Sequence, residues 1–225
     1  MPVRKITKSY RSVTGISAAS KSVGQAQFES TLERDLITLL EFSRDVRQFE
    51  VQPVTLTWQE GTQTRRYTPD ALAHFERRSG VTPPPLLYEV KYRDDLRANW
   101  KEFRPKFRAA VRFAKAQGWR FKLMTEQEIR TPYLSNAQFL LPFARNCLFP
   151  TAEDMDLLDS ALLELRETDI ESLLQAVCVD EWNRARLMPA LWYLIGTFHF
   201  STDLHVPLTK KSRLWNREVR LWDKV

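Results

Sequence analysis

From Phe28 to about Arg44, apolar residues fall at Leu32, Leu36, Leu39 and Leu40, a helical spacing that predicts an amphipathic helix. Alternation then takes over. Val54, Leu56 and Trp58 share one side of a predicted strand, Glu60-Gly61 marks a turn, and Arg65 to Phe75 reads as the return strand of a hairpin. After the turn-rich stretch Arg77 to Pro85, Leu86 to Lys91 predicts a further strand. Trp100 to Gln117 predicts a helix with Trp100, Phe103, Phe107 and Val111 on its apolar stripe, and Pro105 marks a kink or a start within it. Gly118 ends that helix, and Arg120 to Thr125 supplies another strand. Helix, hairpin, strand, helix, strand describes an α/β domain ending near residue 130.

Beyond Thr131 the pattern is mainly helical, with apolar residues three and four apart over Asp154 to Arg166, Asp169 to Val177 and Arg184 to Ile195. The last third predicts two short strands around a turn at Pro207 to Lys211. Helices followed by a small basic hairpin suggest a winged-helix-like module. The opening residues carry Arg4, Lys5, Lys8, Arg11 and Lys21, lack any acid up to Phe28 and hold few apolar positions, so they read as a basic arm that orders on a partner. The expected organisation is an arm over 1–27, an α/β domain over 28–130 and a mainly α, winged-helix-like domain over 131–225.

With 225 residues, of which 43% are hydrophobic, the chain has material for one large core or two small ones. No run of about eighteen apolar residues is free of charge, and no apolar stretch follows the basic N-terminal residues, so neither a membrane span nor a secretion signal is expected. Cys147 and Cys178 stand far apart and outside any CxxC pair, which argues for reduced, structural thiols in a cytoplasmic protein. A net charge of +6 favours polyanionic partners without selecting one.

Candidate chemistry comes from acids and one lysine. Glu89 and Lys91 are two apart on a predicted strand, so both side chains leave the same face, while Tyr88 and Val90 leave the other. Asp70 follows Pro69 where the preceding strand opens. If those strands are neighbours, three polar groups meet. Hydrolysis of a phosphodiester needs such a set: carboxylates to hold Mg2+ or Mn2+, hard cations that prefer oxygen ligands, and a lysine to orient or activate water. Pro69-Asp70, roughly twenty intervening residues, then Glu89-Val90-Lys91 has the form of the PD-(D/E)xK nuclease signature, a pattern that is weak alone.

Phe28-Glu29-Ser30-Thr31-Leu32-Glu33-Arg34-Asp35, Gln52-Pro53, Tyr67-Thr68-Pro69-Asp70 and Tyr88-Glu89-Val90-Lys91, taken in order, give residues 20 to 130 a resemblance to the TnsA-like endonuclease subunit of heteromeric transposases. The resemblance implies a restriction-endonuclease-like core, a mixed sheet flanked by helices, with a winged-helix domain behind it. It maps the catalytic set onto Glu33, Asp70 and Lys91 and the metal ligands onto Glu33, Asp70 and Glu89. It further implies cleavage of the non-transferred (5′) strand of double-stranded DNA at transposon ends, in a bacterial cytoplasm. The implied partners are a TnsB-like strand-transferring transposase and a TnsC-like ATP-dependent regulator. The alternatives are a stand-alone restriction- or repair-type nuclease and a non-catalytic DNA-binding assembly module.

Plainer readings stand beside these. Ser30 to Glu33 also fits a capping box, which would make Glu33 a helix-start residue, and Glu29 replaces it as the helix acid if the helix phase is shifted. Glu89 and Lys91 would fit an exposed strand face, and Asp70 a turn after proline. Gly15 to Ser22 echoes a phosphate loop but has Ser20 in place of the second glycine, so Lys21 is assigned to the DNA backbone or to solvent together with Arg11. Lys210, Lys211 and Arg213 form a basic turn suited to phosphate contact or to solvent. His199 and His205 lack the second close pair a zinc site needs, and Trp182, Trp192, Trp215 and Trp222 fit a core or a partner surface.

Overall fold

A computed structural model describes residues 13–145 and 150–216. Arg4, Lys5, Lys8, Arg11, Cys147 and Trp222 lie outside the described residues. The chain divides into two compact units, 1–130 and 131–225.

The first unit opens with two short antiparallel strands, β1 (Gly15–Ser17) and β2 (Ala26–Phe28). Gly15 lies under the Phe28 ring, where a Cβ would come within 2.7 Å of Cζ, so only glycine fits without a shift. Helix α1 (Thr31–Phe42) is capped by Ser30, whose hydroxyl accepts the Glu33 N–H, and it buries Leu32, Leu36, Ile37 and Leu40. Strand β3 (Val46–Val51) follows, then the hairpin β4 (Leu56–Glu60) and β5 (Gln63–Tyr67), then β6 (Ala71–Phe75) and β7 (Leu86–Val90). Helix α2 (Arg93–Ala116) leads to β8 (Arg120–Met124) and the single turn α3 (Glu126–Ile129).

The sheet order is β3-β6-β7-β8, antiparallel except for the parallel pair β7/β8. A parallel pair requires a crossover, and α2 provides it. The face of α2 bearing Phe107, Ala110 and Ala114 is buried; Ala114 packs with Leu72 and Leu87, and Ala110 with Leu56 and Tyr67 of the β4/β5 hairpin. Helix α1 packs on β3 and β7.

Four expectations change here. Residues 13–28 pack on their own unit instead of forming a free arm: Ser20 N–H, Ser20 O–H and Lys21 N–H all donate to the buried Glu41 carboxylate, and Ser22 bridges to Phe49. The stretch Arg65 to Phe75 is two strands, because Thr68-Pro69-Asp70 interrupts the ladder where proline lacks a donor. The helix after β7 starts at Arg93 and breaks at Asn99 (φ −119°, ψ 21°), six residues before Pro105. The buried stripe also differs from the predicted one: Trp100 and Val111 are half exposed, and the buried positions are Phe107, Ala110 and Ala114, whose two alanines allow close packing on the sheet and hairpin. β3 shows no clear alternation in the sequence because a register shift falls between Val46 and Gln48.

The second unit contains α4 (Pro132–Arg145), α5 (Ala152–Leu165), β9 (Glu167–Asp169), α6 (Ile170–Val177), α7 (Glu181–Gly196), β10 (Phe200–Ser201) and β11 (Arg213–Asn216). Thr151, Asp169 and Asp180 cap the helices they precede. The three strands form an antiparallel sheet in the order β10-β11-β9. Leu158, Leu162, Ile170, Leu173, Leu187, Leu191 and Leu214 fill the interior. No helix among the described residues is long and apolar enough to cross a membrane.

Candidate active site

The antiparallel register of β6 and β7 sets Ala71 opposite Tyr88, which leaves Asp70 beside the residues that follow Tyr88. Its backbone is fixed on both sides: Asp70 N–H donates to Tyr88 O at 3.0 Å, and Asp70 O accepts Gln52 N–H at 2.9 Å. Gln52 reaches that contact in the left-handed region (φ 51°), an unusual conformation for a residue with a Cβ. The Asp70 carboxylate reaches across to β7, where Oδ2 accepts the Val90 N–H at 2.7 Å. Oδ1 has no hydrogen-bond partner among the described residues.

Glu89, only 1% exposed, is held by three side chains. The Tyr67 hydroxyl donates to Oε2 at 2.6 Å; Lys106 Nζ, at 3.0 Å, and Lys91 Nζ, at 3.1 Å, both meet Oε1. Lys91 also donates to Val90 O at 3.0 Å. Period-two geometry therefore does put Glu89 and Lys91 in contact, and β6 brings Asp70 to them.

Glu33 stands in the first turn of α1. Its Oε2 accepts the Glu29 N–H at 2.8 Å, and its Oε1 accepts the Ser30 hydroxyl at 2.9 Å, so the carboxylate serves the helix start. It is also close enough to act on both Asp70 and Lys91 electrostatically. Glu29 is exposed. Glu29 precedes the N-cap and so lies outside α1, whereas Glu33 in its first turn is the acid that acts on Asp70 and Lys91. The start of α1 is anchored by Arg130, which donates to Asp35 Oδ2 at 2.9 Å, to Thr31 Oγ1 at 2.9 Å and to Tyr92 Oη at 3.2 Å.

Protonation follows from this crowding. Burial, then repulsion from Glu89, holds the Asp70 carboxyl well above the usual carboxylate range; Glu33 adds to the rise, while Lys91 and the Val90 N–H oppose it. Burial would lower Lys91, but Glu89, then Asp70, and more weakly Glu33 outweigh it and hold the ammonium above its ordinary value. Burial and the Glu89 charge push the Tyr67 phenol far up, so it stays a donor.

Two of these groups are not marked as site residues by the sequence, although Tyr67 lies within the Tyr67-Thr68-Pro69-Asp70 motif. Lys106 comes from α2 and sits over three rings, with Nζ 4.6 Å from the Phe103 centroid, 4.9 Å from Tyr67 and 5.2 Å from Phe107. Tyr67 comes from the hairpin. Their facing depends on how α2 and the hairpin dock.

Among the described residues no three His, Cys, Asp or Glu side chains stand grouped as a metal cage. Mg2+ needs less, since it is usually held by one or two carboxylates and keeps several waters. Asp70 offers an open oxygen, and the repulsion that raises its pKa is relieved by a cation, so the donor set fits a hard divalent ion.

The other candidates lie elsewhere. Lys21 Nζ donates to Ser43 O at 2.7 Å, and burial lowers its pKa against the pull of Glu41 and Glu76, so its ammonium serves the end of α1. Lys211 pairs with Glu171 at 2.8 Å, and Arg213 with Glu167 at 3.1 Å. Lys210 is exposed and makes no ion pair among the described residues. His199 bonds to Asp159, and His205 stacks on Tyr133.

A family model described as TnsA-like endonuclease, N terminal, matches residues 43–126. Residues 43–126 are thus similar to the N-terminal domain of TnsA-like endonucleases. The match to the TnsA-like family spans Asp70, Glu89, Lys91, Tyr67 and Lys106, whereas Glu33 lies before it. No curated protein matches the chain.

Proposed function

We propose that the protein is a Mg2+- or Mn2+-dependent DNA endonuclease that cuts the non-transferred, 5′ strand at transposon ends. The observation that carries this reading is the meeting of Asp70, Glu89 and Lys91 at one end of the sheet, with Glu33 acting on them from α1. The likeness of residues 43–126 to the TnsA-like endonuclease N-terminal domain favours action beside a TnsB-like strand-transferring transposase and a TnsC-like ATP-dependent regulator, on DNA in the bacterial cytoplasm. The second unit suits a winged helix: α5, β9, α6, α7, β10 and β11 follow one another, and β11 is the middle strand.

Asp70 and Glu89, joined by Glu33, are the residues that would hold the cation. When bound, it supplies Lewis acidity at the phosphate and lowers the pKa of coordinated water. Asp70 is fixed through its backbone and through Val90 N–H, so its open oxygen keeps one position. Lys106 and Tyr67 hold the two oxygens of Glu89 in place. Lys91 keeps its proton, which suits it to steady charge on the phosphate and to orient the attacking water as a donor, not to remove a proton. Water attacks phosphorus, the bond to the 3′ oxygen breaks, and the products are a 3′-hydroxyl and a 5′-phosphate.

The test is nicking of strand-labelled transposon-end duplex, with the transposase partner and Mg2+ or Mn2+. Wild type should cut the 5′ strand, and Asp70→Ala should not. Equal cutting by the two proteins rejects the site; cutting by the protein alone points to a stand-alone nuclease.

A further inference from the structure

On α2, Lys101, Arg104, Arg108 and Arg112 recur three or four residues apart and therefore share one side of the helix. All four are exposed. They face Trp58, Gln59 and Glu60 of β4 across a groove of about 620 Å³. None of the four makes an ion pair with a carboxylate among the described residues. The single acid on the lining, Glu60, is already paired with Arg65 at 2.9 Å. The groove is thus a run of cations left without counter-charge by its own fold.

Its two walls are also the walls of the catalytic centre. α2 contributes Lys106, next to the groove residue Pro105, and the hairpin that supplies Trp58 also supplies Tyr67; both Lys106 and Tyr67 bond Glu89. From Lys101 to Arg112 the helix rises roughly 16 Å, against about 3.4 Å per phosphate along one strand of duplex DNA. A row of this length spans several successive phosphates.

We propose that this groove is the main sequence-independent DNA track of the protein, holding the phosphate backbone of the duplex that leads into the cleavage centre. Lys211 and Arg213 of the basic turn, each already paired with an acid of their own unit, contribute little to it. The assignment rests on the nuclease reading for its orientation toward the cut, but not for its charge.

Fluorescence anisotropy of the intact protein with a labelled duplex of arbitrary sequence, in EDTA over a salt series, tests it. The triple variant Arg104→Ala, Arg108→Ala, Arg112→Ala should bind at least about tenfold more weakly at low salt, with a log–log salt slope shallower by about 2 to 3. The corresponding Arg→Lys triple should keep the slope, because phosphate counts charge. Wild-type affinity and slope in the alanine triple overturn the proposal, as does a loss of binding confined to Lys210→Ala, Lys211→Ala, Arg213→Ala. So does an alanine triple that binds DNA normally but no longer binds the transposase, which would make the groove a protein interface. The nuclease reading fails separately: if wild type never cuts while the alanine triple still loses DNA, the groove stands and the catalytic assignment falls.

Discussion

The fully buried side chains of the second unit, Leu158, Leu162, Ile170, Leu173, Leu187 and Leu191 among them, are hydrocarbon, and of its buried amides Asn136 is spent on Leu204 O, Val206 O and Leu208 N–H and Asn216 bonds Asp159. The one buried carboxylate among its described residues, Asp154, leans on an exposed partner, Arg186. In the first unit Asp35, Glu41 and Glu89 are all buried. Two of these are anchors: Asp35 is closed by Arg130 and Arg34, and Glu41 by the backbone and hydroxyl of Ser20 and by Lys21 N–H. Only Glu89 shares its surroundings with another acid that is short of partners, Asp70. Burying charge is costly unless it is paired, and a fold concentrates unrelieved charge where a ligand will relieve it. Buried acids alone do not mark a site; a surplus of them does.

The contrast is broken most strongly at Lys91. Lys91→Ala should slow single-turnover strand cleavage by about 10²- to 10⁴-fold while duplex affinity stays within a few-fold, since a positioned donor is lost from the reaction and the groove is untouched. Next comes Leu158→Ala in the hydrocarbon interior, expected to cost about 2–5 kcal/mol in denaturant unfolding, by a similar amount at pH 6 and pH 8. Lys106→Met should cost about 1–3 kcal/mol, because Glu89 loses one charged partner and keeps two, and it should slow cleavage by displacing Glu89. Lys106→Arg should recover part of both.

Asp70→Asn sharpens the comparison through its sign. The folded-state pKa of Asp70 is raised, so the folded protein holds this proton more tightly than the unfolded chain does. Stability from this group is present below the unfolded carboxylate value and is lost as pH rises through the folded one. Without metal, Asp70→Asn should therefore melt higher than wild type at neutral pH, with the gap closing toward about pH 4. Mg2+ should raise the wild-type melting temperature and have less effect on the variant. The smallest effect belongs to Lys211→Ala, whose exposed pair with Glu171 should leave the melting temperature unchanged within error.

Asp70, Glu89 and Lys91 were legible in the sequence because the rules that place them are local: strand alternation, and proline at a strand opening. Glu33 was legible only as an ambiguity, and the fold keeps both halves of it, a helix-start acid that also acts on the site. The site roles of Lys106 and of the motif residue Tyr67 were not legible. Their aim depends on how α2 docks against a hairpin that belongs to a separate two-stranded sheet. The helix stripe differs because the buried face runs through the small residues Ala110 and Ala114, while bulk and apolarity pick out Trp100 and Val111, which are half exposed. Residues 13–28 looked unstructured because their anchors are backbone N–H groups meeting one distant carboxylate, which composition does not encode.

The Glu33 carboxylate accepts the amide hydrogen of Glu29. If that carboxylate turns to a metal ion, the exposed Glu29 amide loses its acceptor. Its hydrogen should then exchange with solvent faster when Mg2+ is added, while amides of β6 and β7 exchange more slowly as the centre tightens. A single backbone position would thus report occupancy with the opposite sign to its surroundings, and would tell a ligand role for Glu33 from a purely capping one without any measurement of cleavage.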